Sequence, residues 1–271
     1  MTALRSYDHY APDIEATVLP GVPSPYTPLR LPLALRTVTP GTDVRWSDGS
    51  TTRTQLLELD GRHSGYALSL PPSPGSSATP SSFRETSWLD SDRLADEWTL
   101  TQVVAQGYGR VGLDELRRRL RRAGYATAAE ELTAGHAIAA TQAAVWHVTT
   151  GRELDARHVN ALAVSHLYDY LLGRAGVAGY GRPEARGALG PRHFVAGISP
   201  VEIHGADVVD ADGRSLWGLV VPGQRFHVRS AVRRITLRHG AVRARLLSGQ
   251  GHQLVTVTDQ VPVVVDHILA V

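Results

Sequence analysis

The chain has 271 residues, 42% of them apolar and 20% charged, and a formal net charge of +2. That balance suits a globular protein able to build a core without metal or disulfide staples, and it argues against nucleic acid or an anionic membrane surface as a general partner. There is no Cys, which excludes disulfides, thiolate metal sites and a cysteine nucleophile. All 28 basic residues are Arg, a bias expected of a GC-rich genome, so the N-terminal α-amine is the only primary amine in the chain. No apolar run approaches the length of a membrane span. Residues 1–20 lack the basic start and apolar block of a secretory leader, so a secreted form is expected to begin after a cleavage site.

Residues 1–42 are rich in Pro and apolar residues and read as extended chain and edge strand. Val44 to Leu59 alternates as strands do, with a hairpin signal at Asp48-Gly49. Residues 71–87 are Ser- and Pro-rich and read as a loop. Four helices are predicted next: Trp88 to Gln106, capped by Asp90 or Ser91; Leu113 to Arg122, closed by Gly124; Ala128 to Thr149; and Asp155 to Leu172. Glycine-rich residues 173–191 read as a connection. From Phe194 onward the period changes to two, with strands predicted in 201–210, 215–221, 225–230, 234–239, 242–247, 254–259 and 261–271. The order strands, helices, strands predicts an α+β fold. We expect a β-sandwich or barrel body from residues 1–70 and 195–271, with an inserted helical subdomain at 88–173 and a connection at 173–194, all in a single domain and a monomer.

The helix from Ala128 to Thr149 carries the most informative pattern. At helical spacing Ile138, Gln142, Val145 and Thr149 share one face, with Trp146 beside them. A primary amide on an apolar stripe costs about 1–3 kcal/mol if it is buried without partners. Gln142 is therefore either a hydrogen-bonded core residue or a chemically used one. Ser64-Gly65-Tyr66-Ala67-Leu68, by itself, reads as an ordinary strand end.

Taken together, these segments resemble the thioester domains of Gram-positive surface adhesins. Thr141-Gln142-Ala143-Ala144-Val145-Trp146, followed by the turn at Thr149-Thr150-Gly151, resembles that family's glutamine motif. Tyr66-Ala67-Leu68 stands where the family has Tyr-Cys and an apolar residue. The Gly107-Tyr108 helix end resembles an intervening Asn-Gly-Tyr segment, and Gly190-Pro191 with Phe194 a later strand entry. The resemblance implies an internal thioester in the parent form, made when a Cys thiolate displaces ammonia from the Gln142 amide. It also implies single-turnover acyl transfer rather than a turnover enzyme, an amine-bearing surface ligand (a protein Lys or another amine), and a secreted or cell-wall-anchored location. Tyr66, Thr141 and Trp146 would line the site and exclude water, and His147 would assist proton transfer. No cofactor or metal is implied. Here the chain departs from the family: position 67 is Ala, and Ala cannot form the bond. Either the Cys was replaced by an engineered Cys→Ala substitution, or the domain has naturally lost the bond and binds noncovalently or only structurally.

The remaining patterns favour structural readings. Arg117 to Arg122, interrupted by Leu120, reads as the wet face of an amphipathic helix rather than an anion site. His136, His147, His158 and His166 lack metal-ligand spacing. Asp210-Ala211-Asp212-Gly213 reads as a β-turn rather than a calcium loop. No G-x-S-x-G motif supports a serine hydrolase.

Overall fold

The computed structural model describes residues 17–18, 32–60, 63–70, 82–88, 96–155, 157, 160–173, 192–195, 200–210, 216, 218–221, 224–229, 234–239, 242–249, 252–259 and 263–268. The first strands are β1 (Thr17–Val18), β2 (Leu33–Pro40), β3 (Val44–Arg45), β4 (Thr51–Thr52), β5 (Gln55–Leu59), β6 (His63–Ala67) and β7 (Ser82–Thr86). The helices follow as α1 (Glu97–Gln106), α2 (Leu113–Arg122), α3 (Ala126–Glu131), α4 (Ala134–Thr150) and α5 (Leu162–Leu171). The chain then forms β8 (Arg192–Val195), β9 (Val201–His204), β10 (Asp207–Val209), β11 (Leu219–Val220), β12 (Arg225–Arg229), β13 (Arg234–His239), β14 (Val242–Gly249), β15 (His252–Asp259) and β16 (Val263–Ile268). The fold is α+β.

The β residues divide into two bodies. One is a closed barrel in the order β14-β15-β6-β5-β2-β7. Because side chains alternate across a strand, the barrel wall has two apolar faces. Leu33, Leu57, Leu59, Phe83, Leu247 and Leu254 form the cluster inside it. Leu56, Tyr66, Leu68, Ala244, Leu246 and Val255 face outward into a larger core shared with the helices. β2, expected at an edge, pairs with both β5 and β7 and so lies within the wall.

The other body is a pair of four-stranded sheets, β1-β8-β12-β10 and β11-β9-β13-β16. They enclose Val201, Ile203, Val208, Val220, Phe226, Val228 and Leu237, as the two sheets of a sandwich do. β13 pairs directly with β16 from Arg234↔Ile268 to His239↔Val263. The β14–β15 hairpin between them leaves the sandwich and supplies two staves of the barrel. The sandwich-or-barrel body expected from the sequence is thus one of each, joined by a shared hairpin.

Two predicted helices differ in their bounds. The segment read as Ala128 to Thr149 is two helices, because Leu132 is extended (φ −65, ψ 117) and Thr133 starts α4 as its N-cap, accepting from the His136 N–H. α5 begins at Leu162 rather than Asp155, since Asp155 and Asn160 are tied to the backbones of Arg157 and Arg45. α1 is described from Glu97, and the proposed caps Asp90 and Ser91 lie outside the described residues, as do 71–81, His158, 174–191 and 211–215. Among the described residues no helix is long and apolar enough to cross a membrane.

α4 is the centre of the helical layer. Every residue from Ala137 to Trp146 is buried, so the helix is enclosed all round rather than amphipathic. Ala137, Ala139, Ala140, Ala143 and Ala144 are fully covered. Such small side chains let a helix axis approach its neighbours closely, and the Gln142 side chain reaches the barrel backbone as a result.

Candidate functional site

The site begins where a strand ladder stops. β6 pairs along one edge with β15 (Leu254↔Ala67, Thr256↔Gly65) and along the other with β5 (Leu57↔Gly65, Leu59↔His63). Two residues beyond Gly65 the β5 partner of Ala67 would be Gln55, but the β5–β6 ladder ends at Leu57↔Gly65, while β5 continues to pair with β2 on its far edge (Pro40↔Gln55). The Leu68 N–H donates to the Gln253 carbonyl at 3.0 Å. Since backbone polar groups alternate from side to side along a strand, those of Ala67 point to the edge that β5 has left.

Gln142 fills that vacated place. The Ala67 N–H donates to Gln142 Oε1 at 3.2 Å, and Gln142 Nε2 donates to the Ala67 carbonyl at 2.8 Å. The side-chain amide thus acts as one residue of the missing strand, with 0% of Gln142 exposed. One residue on, Thr149 Oγ1 donates to the Leu68 carbonyl at 2.7 Å. The Ala67 methyl packs against the cluster inside the barrel.

A second tie lies one residue back on each element. Thr141 Oγ1 accepts the Tyr108 N–H at 3.1 Å and donates to the Ala137 carbonyl at 2.8 Å. The Tyr66 hydroxyl donates to the Tyr108 carbonyl at 2.9 Å. One backbone residue, Tyr108, therefore bridges the neighbours of Ala67 and Gln142. Burial pushes the Tyr66 phenol well above its ordinary range, with Thr141 opposing the shift, so Tyr66 remains a neutral donor. Gly107 makes the bridge sterically feasible, because a Cβ there would lie 2.4 Å from Thr141 Cγ2.

The other expected residues are placed differently. Trp146 lies one turn after Gln142, 2% exposed, with its ring centroid 5.9 Å from that of Trp46. Its indole N–H has no hydrogen-bond partner among the described residues, whereas Trp46 Nε1 donates to Thr52 Oγ1 at 2.9 Å. His147 is about 140° around the helix axis from Gln142. Its Nδ1 is 2.8 Å from the Arg152 carbonyl, and its ring meets Tyr168 edge-on at 5.9 Å. A carbonyl only accepts, so Nδ1 carries the proton. The structure joins Tyr66, Ala67, Thr141 and Gln142 and leaves His147 on another face.

Residues 65–177 match the family model described as the thioester domain. That segment is similar to the thioester domain family. Two solved structures similar to the chain carry related descriptions. The thioester domain of the Enterococcus faecium TIE86 protein is 14% identical, with a TM-score of 0.37, and the match covers 90% of this chain and 99% of that one. The Bacillus anthracis TIE protein is 12% identical, with a TM-score of 0.39, and the match covers 89% of this chain and 48% of that one, about half its length. No curated protein matches the chain.

The thioester domain match takes in residues 65–67 of β6, all of β7 and helices α1 to α5, but none of β2, β5, β14 or β15. The wall around Ala67 is thus completed by strands on both sides of the matched segment. Sequence reasoning did not foresee the role of the Tyr108 backbone, because a peptide group has no side-chain signature. It placed Thr149 on the Gln142 face without assigning the bond to Leu68. The available signal there was the Thr spaced seven residues from Gln142, two helical turns on.

Proposed function

We propose that this chain is the binding domain of a cell-surface adhesin whose covalent chemistry is switched off at Ala67. In the parent form a Cys at this position would attack the Gln142 side-chain carbonyl. A C–S bond would form, the C–N bond would break, and the amide nitrogen would leave as ammonia with a proton from solvent. An amine on a surface ligand would later displace the thiol, leaving an amide link to residue 142. This is one-time acyl transfer. The observation that carries the reading is the pair of hydrogen bonds that brings the Gln142 amide onto residue 67 itself. The Ala67 N–H points at Gln142 Oε1, where negative charge would build during thiolate attack, as an oxyanion donor does.

The alternative is a module that has naturally lost the thioester and binds its ligand noncovalently. Its support is that both the oxygen and the nitrogen of Gln142 already have backbone partners, so the fold stands without the covalent bond.

The test is Ala67→Cys with intact-mass measurement. The acyl-transfer reading expects a deficit of one ammonia, a thiol that resists alkylation, and capture of methylamine. A full-mass protein with a free thiol would overturn it and leave the noncovalent reading. The chain with Ala67 is expected to show neither deficit nor adduct.

A further inference from the structure

The Tyr108 bridge continues into the sandwich. Gly109 follows with φ +102 and packs beside Ser64 of β6. Arg110 is next. Its NH1 donates to the Ala105 carbonyl at 3.0 Å, which closes the 105–110 turn on itself. Its NH2 donates to Glu202 Oε1 at 2.7 Å. Glu202 lies in β9 with its side chain only 13% exposed, and also meets Arg238 at 3.3 Å and His204 at 3.8 Å. The contact is therefore a half-buried, charge-assisted cluster in which Glu202 is the carboxylate shared by Arg110 and Arg238.

Two further contacts hold the same surfaces together. Gln102 Nε2 of α1 donates to Gln224 Oε1 at 2.9 Å, and Ala105 packs with Leu219 and Val242. Together they dock the sandwich onto the last turn of α1, immediately before the loop that carries Tyr108. The route from Glu202 to the acyl pair is short: Glu202 to Arg110, Arg110 by two peptide units to Tyr108, and Tyr108 to both Tyr66 and Thr141. Those last two residues directly precede residues 67 and 142.

We propose that Glu202 is a positioning residue for the acyl pair: through Arg110 it holds the Tyr108 peptide that sets the spacing between residue 67 and Gln142. The sandwich is then part of the reactive centre's scaffold. The inference rests on the acyl-transfer reading for its kinetic consequence and on the hydrogen bonds alone for its structural one, so the two are tested separately. A displacement of about 1 Å between reacting groups costs up to roughly 100-fold in rate, and the loss of one guiding ion pair should produce part of that.

The structural test uses the full chain with Ala67 in place. Glu202→Gln is expected to raise hydrogen exchange at the Tyr108 N–H on the order of tenfold, because the loop opens locally more often. Arg118→Gln breaks a surface ion pair with Glu115 on α2 and should leave that amide unchanged. The kinetic test repeats both changes with Ala67→Cys and follows ammonia loss by intact mass during refolding. Glu202→Gln should slow it on the order of tenfold, Arg110→Ala should slow it equally, and the double variant should be no slower than either, as members of one route do not add. Unchanged Tyr108 exchange overturns the proposal, as does additive slowing or slowing matched by Arg118→Gln. If Ala67→Cys alone forms no thioester, the acyl-transfer reading fails, and the exchange measurement still decides whether Glu202 holds the Tyr108 loop.

Discussion

Two side-chain amides in this molecule make the same hydrogen-bond pattern. Gln142 takes both backbone groups of Ala67. Asn160 does the same to Arg45: the Arg45 N–H donates to Asn160 Oδ1 at 2.8 Å, and Asn160 Nδ2 donates to the Arg45 carbonyl at 2.9 Å. Each occupies a place beside a strand where another strand could have paired. The Asn160 clasp binds a loop to the short β3, in a region also held by the Ser47 N–H to the Glu153 carbonyl and the Asp155 N–H to the Arg45 carbonyl. It has an evident structural use. The amide clasp is therefore a structural device of this fold and is no mark of chemistry on its own. What distinguishes Gln142 is its setting. It is on the buried stretch of α4, at a break in a barrel wall, opposite the position where the resemblance leads one to expect a thiol, and its neighbour Thr141 shares a peptide bridge with the neighbour of that position.

The sharpest way to separate the two clasps uses Ala67→Cys as background. Adding Gln142→Ala should abolish ammonia loss and methylamine capture completely, while adding Asn160→Ala should leave both in place. Equal effects on mass would make the clasps equivalent and break the comparison. In the chain with Ala67, Gln142→Ala should cost about 2–4 kcal/mol in chemical denaturation, since it strands two backbone groups and opens a small void. Asn160→Ala, at a site that is 8% exposed, should cost about 1–2 kcal/mol, because water can partly replace the amide.

Gly107→Ala addresses the bridge rather than the clasp. The added methyl meets Thr141 Cγ2 at 2.4 Å, and overpacking of this kind costs about 1–3 kcal/mol. A neutral result would mean that the loop and α4 separate easily, and that the bridge does not set the spacing. The smallest effect belongs to Tyr66→Phe, which loses one neutral hydrogen bond worth about 0.5–1.5 kcal/mol. Its clearer signature is in alkali. Burial raises the Tyr66 phenol above its ordinary value, so below about pH 10 both states are protonated and stability is unaffected. Above that, only the unfolded chain loses this proton, and stability falls by about 1.4 kcal/mol per pH unit. Tyr66→Phe should remove that share of the slope in urea titrations between pH 9 and 11. An unchanged slope would show that Tyr66 ionises as freely in the folded protein as in the unfolded chain.

Much of the helical layer was legible in the sequence. Leu113–Arg122 appears with its predicted bounds, and α4 ends at Gly151, which has φ +72 and donates its N–H to the His147 carbonyl at 2.9 Å. The split at Thr133 was less visible, because alanines on both sides favour helix and only the cap geometry interrupts them. Pairing of Ala67 with Gln142 was anticipated through the order of motifs, and contact between them could not have been read from 75 residues of separation. The place of His147 was open until its ring was seen against Tyr168. Periodicity assigns a residue to a helix face without saying what that face meets.

By itself the sequence determined that the chain has no thiol, that Gln142 sits on the apolar face of a helix, and that strands flank the helices on both sides. These follow from composition and local periods of two and 3.6. Only the tertiary structure decided that β5 leaves β6 at Gly65, that the β14–β15 hairpin crosses from the sandwich to complete the barrel, and that the Tyr108 peptide joins the two halves of the site. Strand register and backbone bridging depend on contacts between residues far apart in sequence, and no local pattern encodes them.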